Sequence, residues 1–144
     1  MENRNGLVVD IQIDEANGTA EHTNAIEMLS GQEGDKRITV AGDKGYDTRG
    51  FVEDCRRLNI TPHVAQNSSA RGRSAVDGRT TRHAGYVVSQ RKRKLVEEVF
   101  GWFKTVGNFR RTRFKGRALT QFAAFIVAAA YNLVRMTRLV AVPA

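Results

Sequence analysis

Residues 37–64, RITVAGDKGYDTRGFVEDCRRLNITPHV, decide the fold. Arg37–Ala41 is short, apolar and β-branched, and it runs straight into the polar turn Gly42-Asp43-Lys44-Gly45-Tyr46-Asp47. From Thr48 to Leu58, Phe51, Val52, Cys55 and Leu58 recur at helical spacing and mark an inner face. Ile60–Val64 then returns to strand character. Strand, helix, strand in that order is a βαβ unit, which implies parallel pairing through a right-handed crossover. Asp43 is therefore expected at the carboxyl end of a central strand, the edge of an open α/β sheet where ligands bind.

Upstream, Leu7–Ile13 (LVVDIQI) roughly alternates behind the turn pair Asn5-Gly6 and reads as the second strand of a hairpin. Its first strand would end at about Asn3, with almost all of it missing ahead of Met1. Asp14–Thr19 reads as a loop, and Thr19 as the N-cap of a helix over Ala20–Ser30. Downstream, Gln66–Gln90 is rich in Ser, Arg and Gly without a strong period. It is too long for an idle connection, so it is either a disordered insertion or a loop that contacts nucleic acid. A helix over Arg91–Lys104 follows, then the basic turn Gly107–Arg117 (GNFRRTRFKGR) and a closing helix from about Ala118 to Leu139. Ala118–Val134 carries no charge and meets the lower length limit for a membrane span. With Thr120, Gln121, Asn132 and many alanines, it reads as a buried helix.

The length, 144 residues, fits one domain over 1–144 with a core of its own. The net charge of +8 is concentrated: Arg71–Arg117 holds fourteen Lys and Arg against three acids, and the remainder is mildly acidic. Such a basic half points to a polyanion partner, nucleic acid before membrane. The single cysteine, Cys55, excludes an internal disulfide framework and fits a reducing cytoplasm. The first ten residues hold no apolar signal-peptide core. His22, His63 and His83 are too scattered to suggest a zinc site.

In RKRKLVEEVFGWFK (Arg91–Lys104), Leu95, Val96, Val99, Phe100 and Phe103, with Val106 beyond, collect into one apolar arc at about 100° per residue. Arg93, Glu97 and Lys104 flank that arc, and Glu98 points into solvent. Glu97 is the carboxylate placed for chemistry. The plain alternative is a helical charge ladder. Trp102 lies on the rim of the arc, as a core edge or as a platform for an unpaired base. Magnesium takes hard oxygen ligands, and a site handling phosphates needs acids converging from separate elements. Asp43 on a strand end and Glu97 on a later helix meet that need.

The segments GDKGYDT (Gly42–Thr48) and RKLVEEVFGWFK (Arg93–Lys104), with the basic turn and AAAYNLVR (Ala128–Arg135), resemble DDE-type insertion-sequence transposases of the branch named after insertion sequences four and five. The resemblance runs over nearly the whole chain. It implies an α/β, RNase H-like mixed sheet flanked by helices, here lacking most of its first strand. It also implies Mg²⁺ or Mn²⁺ as cofactor, with metal-dependent phosphodiester cleavage and strand transfer as the reaction. The partners implied are element-end and target DNA, with either a second copy of the chain or an upstream transposase fragment. The place of work is the bacterial cytoplasm, at the nucleoid when bound.

Carried over residue by residue, the family's second catalytic aspartate falls on Asp43 and its catalytic glutamate on Glu97, both as metal ligands. Its signature arginine and lysine fall on Arg93 and Lys104. Together with Arg91, Lys92, Arg110, Arg111, Arg113 and Lys115 these form the expected DNA-binding set. Tyr46 matches a recurrent aromatic that packs beneath the site. The signature tyrosine is replaced by Gln90. The first aspartate falls on Asn3, an amide, with Glu2 beside it and Asp10 the nearest aspartate. Two functions follow: an active transposase domain, or a catalytically inactive truncated remnant that retains DNA binding.

Overall fold

The computed structural model describes residues 1–32, 36–68 and 73–141. Arg71, the first residue of the basic half, lies outside the described residues. Two compact units are present, Gly18–Arg93 on one hand and Met1–Asn17 with Lys94–Ala144 on the other.

The first unit contains α1 (Ala20–Ser30), β1 (Ile38–Gly42), a 3₁₀ turn (Lys44–Tyr46), α2 (Arg49–Arg57), β2 (Ile60–Val64), α3 (Gly78–Thr81) and α4 (Ala84–Lys92). The two strands are parallel, with Ile38 opposite Ile60 and Gly42 opposite Val64. This is the βαβ unit expected from residues 37–64. Thr48 caps α2 by accepting a hydrogen bond from the Phe51 N–H. At its other end Asn59 takes φ 58°, the left-handed conformation that turns the chain from helix to strand. Phe51, Val52 and Cys55 are buried on the inner face of α2 and pack with Ile60, Val64 and Val76. Leu58, expected on that face, is 37% exposed because it is already in the helix cap.

Within 66–90 the described residues 73–90 include two short helices. Val76 enters the core, and α3 and α4 occupy much of the rest. The period was obscured because α3 is only four residues long and α4 has no marked apolar face. The helix expected over Arg91–Lys104 is divided. Arg91 and Lys92 finish α4, Arg93 and Lys94 form a turn, and a new helix, α5, runs from Leu95 to Thr105.

The second unit packs α5 against the long helix α6 (Arg117–Val140). Val99, Phe103, Ala128 and Tyr131 are its buried centre, joined by Met1, Val8, Ile11, Trp102, Phe109 and Val127. At Gly107 an added Cβ would stand 2.6 Å from Val127 Cγ1, so glycine is required for the chain to leave α5 this close to α6. α6 is long and apolar enough to cross a membrane by length and composition. In the structure only one stripe of it is buried, Thr120, Ala124, Ala128 and Tyr131, whereas Leu119, Phe122, Ile126 and Leu133 are exposed. The expected buried helix is thus buried along one face alone.

Leu7–Ile13 belongs to no ladder. Side-chain amides of α6 take the place of a partner strand. Gln121 accepts from the Ile13 N–H (2.7 Å) and donates to the Ile11 carbonyl (2.8 Å), while Asn132 bonds both polar groups of Val8. The preceding turn forms as the sequence implies: Glu2 N–H bonds the Leu7 carbonyl at 2.9 Å, and Gly6 sits at φ 75°.

Candidate catalytic and DNA-binding residues

In the Gly18–Arg93 unit, β1 ends one residue before Asp43. The Asp43 carboxylate caps the 3₁₀ turn, its Oδ1 accepting the Gly45 N–H at 2.8 Å, and the residue is exposed. Beneath this turn, Tyr46 stacks at 5.0 Å on Phe51 and 5.1 Å on His22, whose Nε2 lies 3.0 Å from the Gly45 carbonyl oxygen. Burial, then the nearby Glu21 and Asp43 charges, push the Tyr46 hydroxyl pKa upward. Gly42 lets the turn pack closely: a Cβ would sit 3.0 Å from Val64 and 3.3 Å from Tyr46, so its neighbours would have to shift. Strand end, aromatic underlay and capped turn thus hold Asp43 at the sheet edge.

Two polar groups of this unit escaped the sequence reading. Asp47 accepts backbone N–H bonds from Asn67 (2.6 Å), Ala75 (2.9 Å) and Val76 (3.2 Å), which ties these three residues to the turn after β1. Its place in G-D-K-G-Y-D was a usable signal, since an aspartate closing a turn commonly accepts backbone donors. Gln90 donates to the His63 carbonyl at 2.6 Å and accepts from Arg93 Nε at 3.0 Å. Gln90 therefore orients Arg93 from β2. Next to it, the buried His63 Nδ1 lies 2.7 Å from Ser89 Oγ.

In the second unit Glu97 is exposed in the first turn of α5, and its N–H bonds the Lys94 carbonyl at 3.0 Å. Glu98 is also exposed and borders a shallow recess with Trp102, Tyr131, Val134, Arg135 and Arg138. The apolar arc differs from the one drawn on the wheel: Val99 and Phe103 are buried, but Phe100 is 53% and Val106 67% exposed. Trp102 takes their place, edge-on to Tyr131 at 5.5 Å, as a core-edge residue. The arc rotates because α6 presents Tyr131 and Ala128 on the Trp102 side. Lys104 is exposed in the last turn of α5, and Arg110, Arg111, Arg113 and Lys115 are exposed on the loop that follows. That loop is anchored by Phe109, which packs on Phe103 at 6.2 Å and donates its N–H to the Phe103 carbonyl.

Asn3 lies within the N-terminal turn, not at a strand end. The Glu2 carboxylate accepts the N–H groups of Arg4 (2.8 Å), Asn5 (2.8 Å) and Leu7 (3.3 Å). Partial burial pushes its pKa up, and the backbone donors outweigh that, so the net direction is down. Glu2 is thereby occupied in shaping the turn. Asp10 Oδ1 accepts the N–H of Ile11.

Residues 1–133 match the family model described as a transposase DDE domain. The chain belongs to this family. No curated protein and no solved structure matches it. The two parallel strands flanked by helices are consistent with an RNase H-like DDE domain. DDE transposases use divalent metal ions. Among the described residues no cluster of three His, Cys, Asp or Glu side chains is arranged to hold one. Asp43 and Glu97 are both exposed, one in each unit.

Proposed function

We propose that this DDE domain is the catalytic part of an insertion-sequence transposase of the branch named after insertion sequences four and five. Its substrate is DNA, the element ends and a target. Asp43 and Glu97 would hold Mg²⁺ or Mn²⁺, a hard cation suited to carboxylate and phosphate oxygens. When bound, the metal supplies Lewis acidity for in-line displacement at phosphorus. In the first step a water oxygen attacks the phosphodiester at the element end, and the 3′-oxygen leaves as a hydroxyl opposite a 5′-phosphate. In the second, that 3′-hydroxyl attacks a target phosphodiester and displaces its 3′-oxygen, with no covalent protein intermediate. Arg93 and Lys104, with Arg91, Lys92, Arg110, Arg111, Arg113 and Lys115, neutralise DNA phosphates, so binding weakens steeply with salt. The reaction belongs in the bacterial cytoplasm, on the nucleoid. The protein partner is a second copy of the chain or an upstream transposase fragment.

The observation that carries this reading is Asp43, exposed at the carboxyl end of β1 in a turn that β1, Tyr46 and Gly42 hold in place. A second reading, a DNA-binding chain without catalysis, is favoured by Asn3 and by the engaged Glu2 carboxylate. Element-end DNA incubated with the chain and Mg²⁺ or Mn²⁺, alone and with an upstream fragment, separates the two. Cleavage that Asp43→Asn or Glu97→Gln abolishes, with salt-dependent binding retained and Glu98→Gln without effect, supports the first. Binding without cleavage in both arms supports the second.

A further inference from the structure

α5 carries an exposed aromatic and a bare stretch of backbone side by side. Phe100 is 53% exposed although its helix has an apolar core face available, and Gly101 beside it is exposed. Nothing lies within 4 Å of where a Cβ at Gly101 would stand, so the packing does not call for glycine. A glycine at a mid-helix position costs about 1 kcal/mol relative to alanine, so its presence asks for another reason. The Thr105 hydroxyl donates to the Gly101 carbonyl at 2.8 Å, which occupies that acceptor and keeps this turn of helix closed. At about 100° per residue, Phe100, Lys104, Glu97 and Gly101 fall within roughly 100° of arc on the side away from Val99. Helix geometry thus places an aromatic ring and bare backbone between Glu97 and Lys104, a notch in the helix surface one turn long.

We propose that this notch seats one unpaired nucleotide of the DNA. Phe100 stacks on its base, Gly101 lets the sugar-phosphate chain approach the helix, and Lys104 neutralises the adjoining phosphate. Stacking requires a base that is out of the duplex, because a paired base has both faces covered. A bulky side chain at 101 would hold the strand away from Phe100. The inference rests on DNA being the substrate and adds to it the form of DNA that α5 receives.

The test uses the full chain without divalent metal, and measures anisotropy of a labelled duplex and of the same duplex with a 3′ single-stranded extension. Phe100→Ala is expected to weaken binding of the extended DNA about tenfold and leave the plain duplex within about twofold. Phe100→Trp is expected to restore binding, with the added indole quenched by the extension. Gly101→Ala is expected to raise the thermal midpoint and still weaken the extended DNA. A normal affinity of Gly101→Ala for both DNAs overturns the notch. So does a Phe100→Ala chain that melts several degrees lower with unchanged affinity, or that instead loses a dimer, since Phe100 would then pack against protein. Absence of salt-dependent binding in the unaltered chain overturns the DNA reading itself, and the notch with it.

Discussion

The side-chain amide of Asn132 holds the backbone of Val8 at both of its polar groups. The Val8 N–H donates to Oδ1 and Nδ2 donates to the Val8 carbonyl, each at 2.8 Å. One helix residue thus acts as a strand partner for one residue of an extended segment. Asn132→Leu would leave both half-buried groups unpaired and should cost about 2 kcal/mol. Urea denaturation should show a lower midpoint at an unchanged slope, and the Val8 amide should exchange faster with deuterium.

Asp47 plays the equivalent part in the other unit, with three N–H bonds from residues 67–76. Bonds to a charged acceptor are the stronger kind, and Val76 is 1% exposed in the core. Asp47→Ala should release this segment, cost about 2–3 kcal/mol, and make the exposed Arg73 a fast trypsin site. Equal digestion rates in the two proteins would rule this role out.

Cys55 is fully buried in α2, and burial first, then the Asp54 charge, pushes its thiol up to about 11. At pH 8 only about one thiol in a thousand would be ionised even if a reagent reached it. The native chain should therefore resist iodoacetamide at pH 8, and should react fully once unfolded in urea.

His63 is held neutral in the fold: burial, and then the His83 charge, lowers its pKa below the ordinary histidine value. A lowered pKa means the unfolded chain binds more protons in the window between the two values. The stabilisation is complete above about pH 6.5 and is lost as pH falls through the folded value. Thermal midpoints should drop on going from pH 7.5 to pH 5, and His63→Gln should flatten that dependence.

Much of the architecture was legible because it is local. The βαβ unit follows from apolar spacing, the Thr48 cap and turn chemistry, which act within a few residues of each other, and α1 occupies the residues expected for it although Thr19 makes no side-chain capping bond. The closing helix and the exposed basic loop were readable for the same reason. Family resemblance added the transposase assignment, which Asp43 and Glu97 alone could not carry, since an acid at a strand end is common.

Several features depended on partners distant in sequence. Leu7–Ile13 has strand periodicity, yet whether it joins a ladder depends on what offers it hydrogen bonds, and Gln121 and Asn132 are more than a hundred residues away. The wheel for α5 located an amphipathic helix but not the centre of its buried face, which Tyr131 on α6 decides by packing on Trp102. The placement of Ala75 and Val76 rests on Asp47 and on Val76 entering the core. Local sequence determined α1, α2 and the closing helix, which residues turn the chain after β1, and where Asp43 and Glu97 fall along it. The tertiary structure decided which faces are covered: Phe100 is left outside, Trp102 is drawn in, and Glu2 is bound to its own turn. Periodicity constrains direction along one element, whereas burial and hydrogen-bond satisfaction are settled by elements far apart in the chain.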